Sequence, residues 1–148
     1  MEQDAIELRL QEIESAREEL RLKLSRLPER VVSERPASGK WSILENVRHL
    51  LFAEQAHMSR LFRDRPAWSP AGYTPEAMRA ARKLPPVTSD GPTLGEVWEA
   101  WDSVHVETVS RFSEPVPTGA AVALTKHLRH LRAHVSEIEK LLRQAERR

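Results

Sequence analysis

Residues 126–138 read KHLRHLRAHVSEI and place three of the six histidines of the chain within eight positions. The apolar residues of this stretch recur three or four positions apart, as on one face of a helix: Leu128, Leu131, Val135 and Ile138. Side chains four residues apart lie one above the other on a helix, so His130 and His134 share a face. Two imidazoles at this spacing can bind one metal ion, but a complete site needs a third ligand from elsewhere.

The same periodicity extends along the chain and predicts a helix from about Thr118 to Gln144. A second amphipathic stripe runs from Asp4 to Leu27 and is interrupted only by Arg17. Because Pro28 cannot continue a helix, the first predicted helix ends before it. Residues 28–40 then contain proline, serine and glycine and are predicted to form a loop.

Two capping boxes mark the starts of two further helices. In each, a hydroxyl residue is followed three positions later by glutamate, and the two side chains satisfy free amides at the helix start: Ser42 with Glu45, and Thr93 with Glu96. The predicted helices cover residues 42–63 and about 93–114. The proline-rich connection between them, residues 64–92, leaves room only for a short helix from Thr74 to about Lys83. Four long amphipathic helices with no clear strand predict an all-α four-helix bundle with a long crossover.

The length and composition of the chain restrict the classes of function that it can have. With 148 residues the chain is expected to form one domain, 1–148, and without cysteine it has only histidine and carboxylate as strong metal ligands. Because the chain has 23 basic and 22 acidic residues, its net charge is close to zero, and no general electrostatic field attracts nucleic acid or an anionic membrane. No apolar run is long enough to span a bilayer, and the first residues lack the pattern of a secretory signal, so a cytoplasmic location is expected.

His49 is the best candidate for the third ligand. Its position lies away from the apolar stripe of the second helix, but Phe52, Ala53 and Ala56 share its face and leave room for a cavity. His127 is an alternative to either late ligand, although a structural role beside the site is favoured. Ordinary hydrogen-bonded roles are favoured for the remaining candidates: His57, His105, Glu45 as the capping carboxylate, Glu137 as a solvated charge, and Trp41, Trp98 and Trp101 as core or pocket wall.

Residues 34–50, ERPASGKWSILENVRHL, resemble the loop and second-helix signature of the DinB-like superfamily. The spacing His127-x-x-His130-x-x-x-His134-Val135 resembles its last-helix motif. The resemblance implies an up-down-down-up bundle, often a homodimer, with a divalent metal bound by three histidines. By motif position these are His49, His130 and His134. Members with known activity are metal-dependent enzymes that activate a low-molecular-weight thiol for transfer, or hydrolases and isomerases; many have no known activity.

The leading hypothesis is therefore a metal-dependent transferase or hydrolase with a small-molecule substrate, for which a low-molecular-weight thiol is the candidate. Three imidazoles suit zinc, nickel and iron alike, and the sequence assigns no catalytic residue. The alternative is a bundle without bound metal that serves as a binding or dimerisation module. Nucleic acid and membrane partners are not expected, because no strong charge excess or aromatic interleaving accompanies the basic residues.

Overall fold

The computed structural model describes residues 2–80 and 91–147, and all regular structure within these ranges is helical. The prediction of an all-α fold is confirmed. The described helices are α1 (Glu2–Leu24), α2 (Glu29–Ser33), α3 (Ile43–Phe62), α4 (Pro75–Ala80), α5 (Leu94–Arg111) and α6 (Ala120–Glu146). The long helices α1, α3, α5 and α6 correspond to the four predicted segments. The up-down-down-up order, the single domain and the homodimer stay predictions.

Both predicted capping boxes are present. At the start of α3, the Ser42 hydroxyl accepts a hydrogen bond from the Glu45 amide at 3.1 Å, and the Glu45 carboxylate accepts one from the Ser42 amide at 3.0 Å. Thr93 and Glu96 make the same exchange at the start of α5. Each box satisfies two amides that have no partner inside the helix, and so fixes where the helix begins.

Two segments differ from the prediction. The first helix ends at Leu24. Beyond it the backbone forms a turn, in which the amide of Leu27 donates to the carbonyl of Leu24, three residues back. The segment predicted as a loop contains α2, whose Val32 is buried in the core. A five-residue helix with one buried side chain is too short to show a periodicity. The predicted short helix is present as α4, and its expected last positions, 81–83, lie outside the described residues.

The core lies between the four long helices. Helix α1 packs on α6, and α3 packs on both α5 and α6. The apolar stripes predicted from sequence supply most of its buried side chains, among them Ile6, Ile13, Leu20, Val47, Leu50, Val97, Leu124, Leu131 and Ile138. Because α3 carries His49 and α6 carries His130 and His134, this packing decides whether the histidines meet. None of the helices in the described part of the chain is long and apolar enough to cross a membrane.

Arg17, the interruption in the first stripe, is buried at 3% exposure. Its guanidinium donates to Asp102 at 2.7 Å and to Glu14 at 3.1 Å, and it lies 4.8 Å from the ring centroid of Trp101. Arg21 also donates to Asp102. Burial alone would raise the pKa of Asp102, but the hydrogen bonds from Arg21 and Arg17 lower it below its usual value. A buried cation is tolerated here because it is paired and stacked on an aromatic ring.

We expect Asp102→Ala to lower the free energy of unfolding by about 1–3 kcal/mol, because it leaves the buried Arg17 with one carboxylate fewer. Urea denaturation measures the change. The control is Asp64→Ala, which breaks the more exposed pair with Arg111 and should cost less than about 1 kcal/mol. Equal losses in the two variants would contradict the structural role given to Asp102.

Candidate metal centre

The three predicted histidines lie together between α3 and α6. One ligand atom from each of His49, His130 and His134 falls within 4.8 Å of the other two. The Nε2 atoms of His49 and His130 are 3.4 Å apart. Two ligands about 2.1 Å from one tetrahedral ion lie about 3.4 Å from each other, so this spacing is that of a coordinated pair. The ring centroid of His134 is 4.7 Å from that of His49 and 4.6 Å from that of His130.

His49 reaches this position although it lies off the main apolar stripe of α3. Its ring is half-buried beside the ring of Trp41, at a centroid distance of 5.1 Å, and that of Phe52, at 5.8 Å. Helix α3 therefore buries two faces, one in the apolar core and one against aromatic side chains and the histidines of α6. A helical wheel with a single stripe describes only the first face.

Asn46 holds His134 in a defined orientation. The amide nitrogen of Asn46 donates to the carbonyl of Ser42 at 2.9 Å, so its oxygen faces His134 Nδ1, also at 2.9 Å. An amide oxygen can only accept, so His134 carries its proton on Nδ1 and leaves Nε2 free. Ligating histidines usually donate their second nitrogen to such an acceptor. Sequence reasoning missed Asn46; the available signal was an amide side chain one turn before His49.

The three imidazoles are neutral at neutral pH. Burial, together with the neighbouring imidazoles, lowers the pKa of His49 to about 3 and that of His134 to about 4. Burial also lowers the pKa of His130. Neutral rings keep the lone pairs that a metal ion requires. The Nε2 atoms of His49 and His130 face each other, so a cation between the rings would use their lone pairs. The Nδ1 atoms of both rings are buried and have no hydrogen-bond partner among the described residues.

A family model for the DinB superfamily matches residues 12–147 of the chain. The protein belongs to the DinB superfamily. The match covers the three clustered histidines and Asn46, and together with the geometry it fits a metal-binding helical protein. Searches among curated proteins and among solved structures gave no match.

Beneath the histidines of this DinB-superfamily protein lies a buried carboxylate that sequence reasoning did not single out. Glu54 is fully buried and accepts hydrogen bonds from Trp101 Nε1 at 3.1 Å, Thr108 Oγ1 at 2.8 Å and His105 Nδ1 at 3.0 Å. Burial alone would raise its pKa, but the hydrogen bond from His105 and the nearby imidazole of His127 lower it well below the usual range. His105 is thus buried as a partner of Glu54 through Nδ1, while its Nε2 lies 2.9 Å from a carboxylate oxygen of Glu14 without hydrogen-bond geometry.

His127 lies outside the cluster of three among the described residues. Its Nδ1 is 2.8 Å from His57 Nδ1, and its Nε2 is 3.7 Å from a carboxylate oxygen of Glu54. The ring of His57 in turn packs edge-on against His130, at a centroid distance of 5.3 Å. His127 therefore links the buried carboxylate to a histidine that contacts the cluster, which agrees with a structural role beside the site.

The other candidates have the structural roles that were favoured for them. Glu45 completes its capping box and pairs with Arg35 through bonds of 2.9 and 2.6 Å, so it is engaged away from His49. Glu137 accepts a hydrogen bond from Lys140 at the surface. Trp98 and Trp101 stack in the core, with ring centroids 5.1 Å apart, while Trp41 forms a wall beside His49.

The connection after α3 also contributes to this wall. Arg48 donates to the carbonyls of Ala71 and Gly72, and Gln55 bonds the carbonyl of Ala67 and the amide of Ser69. These hydrogen bonds hold the segment 67–73 against α3. Two aromatic contacts follow: Trp68 stacks on Phe52 and Tyr73 packs near Trp41. The histidine cluster is thereby shielded on one side, while residues 81–90 lie outside the described part of the chain.

We expect Glu54→Gln to lower the free energy of unfolding at pH 7 by about 2–4 kcal/mol, because three donors then face a neutral amide. The folded-state pKa of Glu54 is lowered, so the carboxylate stabilises the protein above its ordinary pKa of 4.5 and loses this effect as the pH falls below it. The difference between wild type and variant should therefore shrink in acid. Urea titrations at several pH values measure it.

The control for this series is Glu107→Gln, which removes an exposed carboxylate from α5. It should change the free energy of unfolding by less than about 0.5 kcal/mol at every pH. A Glu54→Gln effect that stays constant between neutral and acid pH would contradict an ionised buried carboxylate.

Proposed function

We propose that the protein is a metal-dependent enzyme in which His49, His130 and His134 bind one divalent ion through their Nε2 atoms. The observation that carries this proposal is the convergence of three imidazoles from two helices within 4.8 Å. The orientation of His134 by Asn46 supports it, because the hydrogen bond places the imidazole proton on Nδ1 and leaves Nε2 free to bind the ion. Membership of the DinB superfamily supports it as well, since the resemblance implies a metal held by three histidines.

The arrangement suits catalysis better than a purely structural metal site. Three protein ligands leave at least one coordination position free for water or substrate, whereas structural sites are closed by four. A divalent ion bound there would act as a Lewis acid and lower the pKa of a coordinated water or thiol towards neutrality. The reaction class we propose is transfer or hydrolysis on a small molecule, with a thiol or water as the nucleophile. Zinc, nickel and iron all accept such ligands.

The residues around the three histidines hold and shield them. Asn46 fixes the ring and tautomer of His134, and Trp41 and Phe52 pack against His49. The segment 67–73, held to α3 by hydrogen bonds, covers these aromatic rings and limits the access of water to His49 from the side of the rings. Exclusion of water strengthens the electrostatic effect of any ion on a bound group.

The protein is expected to take up about one zinc or nickel ion per chain, since the three imidazoles form a single site. His130→Ala should remove most of this uptake while leaving the helical circular dichroism intact. Elemental analysis after gel filtration measures the stoichiometry. The matched control is His57→Ala, which removes a histidine outside the cluster and should retain the ion. A wild-type protein that stays metal-free after incubation with excess ion would refute the proposal.

Asn46→Ala should weaken metal affinity by roughly 10- to 100-fold, because His134 loses the acceptor that orients it. Asn46→Asp keeps an oxygen acceptor for Nδ1 and should retain most of the affinity. Competition with a chromophoric chelator measures both constants. An equal loss in the two variants would show that the site depends on the packing of Asn46 rather than on its oxygen.

A further inference from the structure

A cavity of about 440 Å³ opens between the second half of α3 and the first half of α6. His130 is one of its lining residues, so the cavity adjoins the candidate metal centre. Its size lies within the range of sites for small molecules, about 300–1,000 Å³. His57, which packs on His130, lines it as well.

The charged side chains that line this cavity are all basic. Arg60 follows His57 by three residues on α3, and Lys126 precedes His130 by four on α6, so each cation lies one helical turn from an imidazole of the cavity. Within the described part of the chain, neither cation makes an ion pair, and no carboxylate lines the cavity. In contrast, Arg35 and Arg111 are each paired with a carboxylate.

The rest of the wall is apolar. Leu61, Val122 and Ala123 line the cavity, and Val122 is 59% exposed although its side chain is a hydrocarbon. Two cations that have no ion pair among the described residues, set beside apolar side chains, are complementary to a small molecule that carries a negative charge on a hydrocarbon body. Guanidinium and ammonium groups bind carboxylates through charge-assisted hydrogen bonds.

We infer that the substrate of the proposed metal centre is a small organic anion whose carboxylate is bound by Arg60 and Lys126. Its reacting thiol or other group then extends along the apolar wall towards His130. This inference rests on the proposed function for the reaction, but the anion subsite itself depends only on the cavity and its two cations. The same cations would also attract anionic substrates to the mouth of the cavity.

The test compares 3-mercaptopropionate with its neutral amide, two thiols of nearly equal size, by calorimetric titration into protein loaded with Zn²⁺. We expect the anion to bind about tenfold more tightly, because the amide lacks the charge that Arg60 and Lys126 recognise. The double variant Arg60→Gln, Lys126→Gln should remove this difference while its zinc content stays that of the wild type. The control pair Arg65→Gln, Arg129→Gln changes two exposed cations outside the cavity lining and should preserve the difference.

Added sodium chloride should reduce the advantage of the anion, since both cations are exposed. Equal affinities of the two thiols for the wild-type protein would overturn the inference, as would equal losses in the cavity and control variants. If inorganic phosphate displaces 3-mercaptopropionate better than acetate does, the result would support the anion subsite and assign it to a phosphate-bearing substrate.

A failure of the metal site can be told apart from a failure of this subsite. If the protein takes up no zinc, the proposed function fails, and propionate is then titrated into the metal-free protein. Shifts of the Leu61 and Ala123 methyl resonances that disappear in the double variant would support the anion subsite. The absence of such shifts would overturn it.

Discussion

The contact between α3 and α6 is the constraint on which the candidate site depends. Apolar side chains of both helices, such as Leu50 and Leu131, are buried in one core, and their removal from water holds the helices together. With the helices held at this distance, His49 faces His130 and His134. The apolar stripes thus hold the two helices at the distance at which the three histidines meet. Because the imidazoles are neutral, their burial costs less than the burial of charged groups would.

Buried polar side chains then define the orientation of the histidines. Asn46 connects a helix start to His134, because one end of its amide donates to the carbonyl of Ser42 and the other accepts from the imidazole. Glu54 of α3 accepts hydrogen bonds from Trp101 and His105 of α5 and lies near His127 of α6. A buried polar network favours the arrangement of the helices in which its donors and acceptors meet over alternatives of similar hydrophobic content. The same groups that specify the fold therefore also position the site.

Much of this arrangement was predictable from the sequence because it depends on local patterns. The capping boxes at Ser42 and Thr93 and the four stripes follow from the spacing of neighbouring residues, and the pairing of His130 with His134 follows from one helical turn. His49 was the candidate for the third ligand, and the family motif supported that choice. Helix α2 was not predictable, because five residues carry no periodic signal. Asn46 and Glu54 were not predictable either, since each acts on a partner far along the chain: 88 residues from Asn46 to His134 and 51 from Glu54 to His105.

The central claim is that one ion is held jointly by an early and two late histidines. Anomalous diffraction at the zinc edge, from crystals of the zinc-loaded protein, tests it most directly. The account predicts one dominant peak about 2.1 Å from the Nε2 atoms of His49, His130 and His134. A dominant peak at other side chains, or bound zinc that leaves these three nitrogens without density between them, would contradict it.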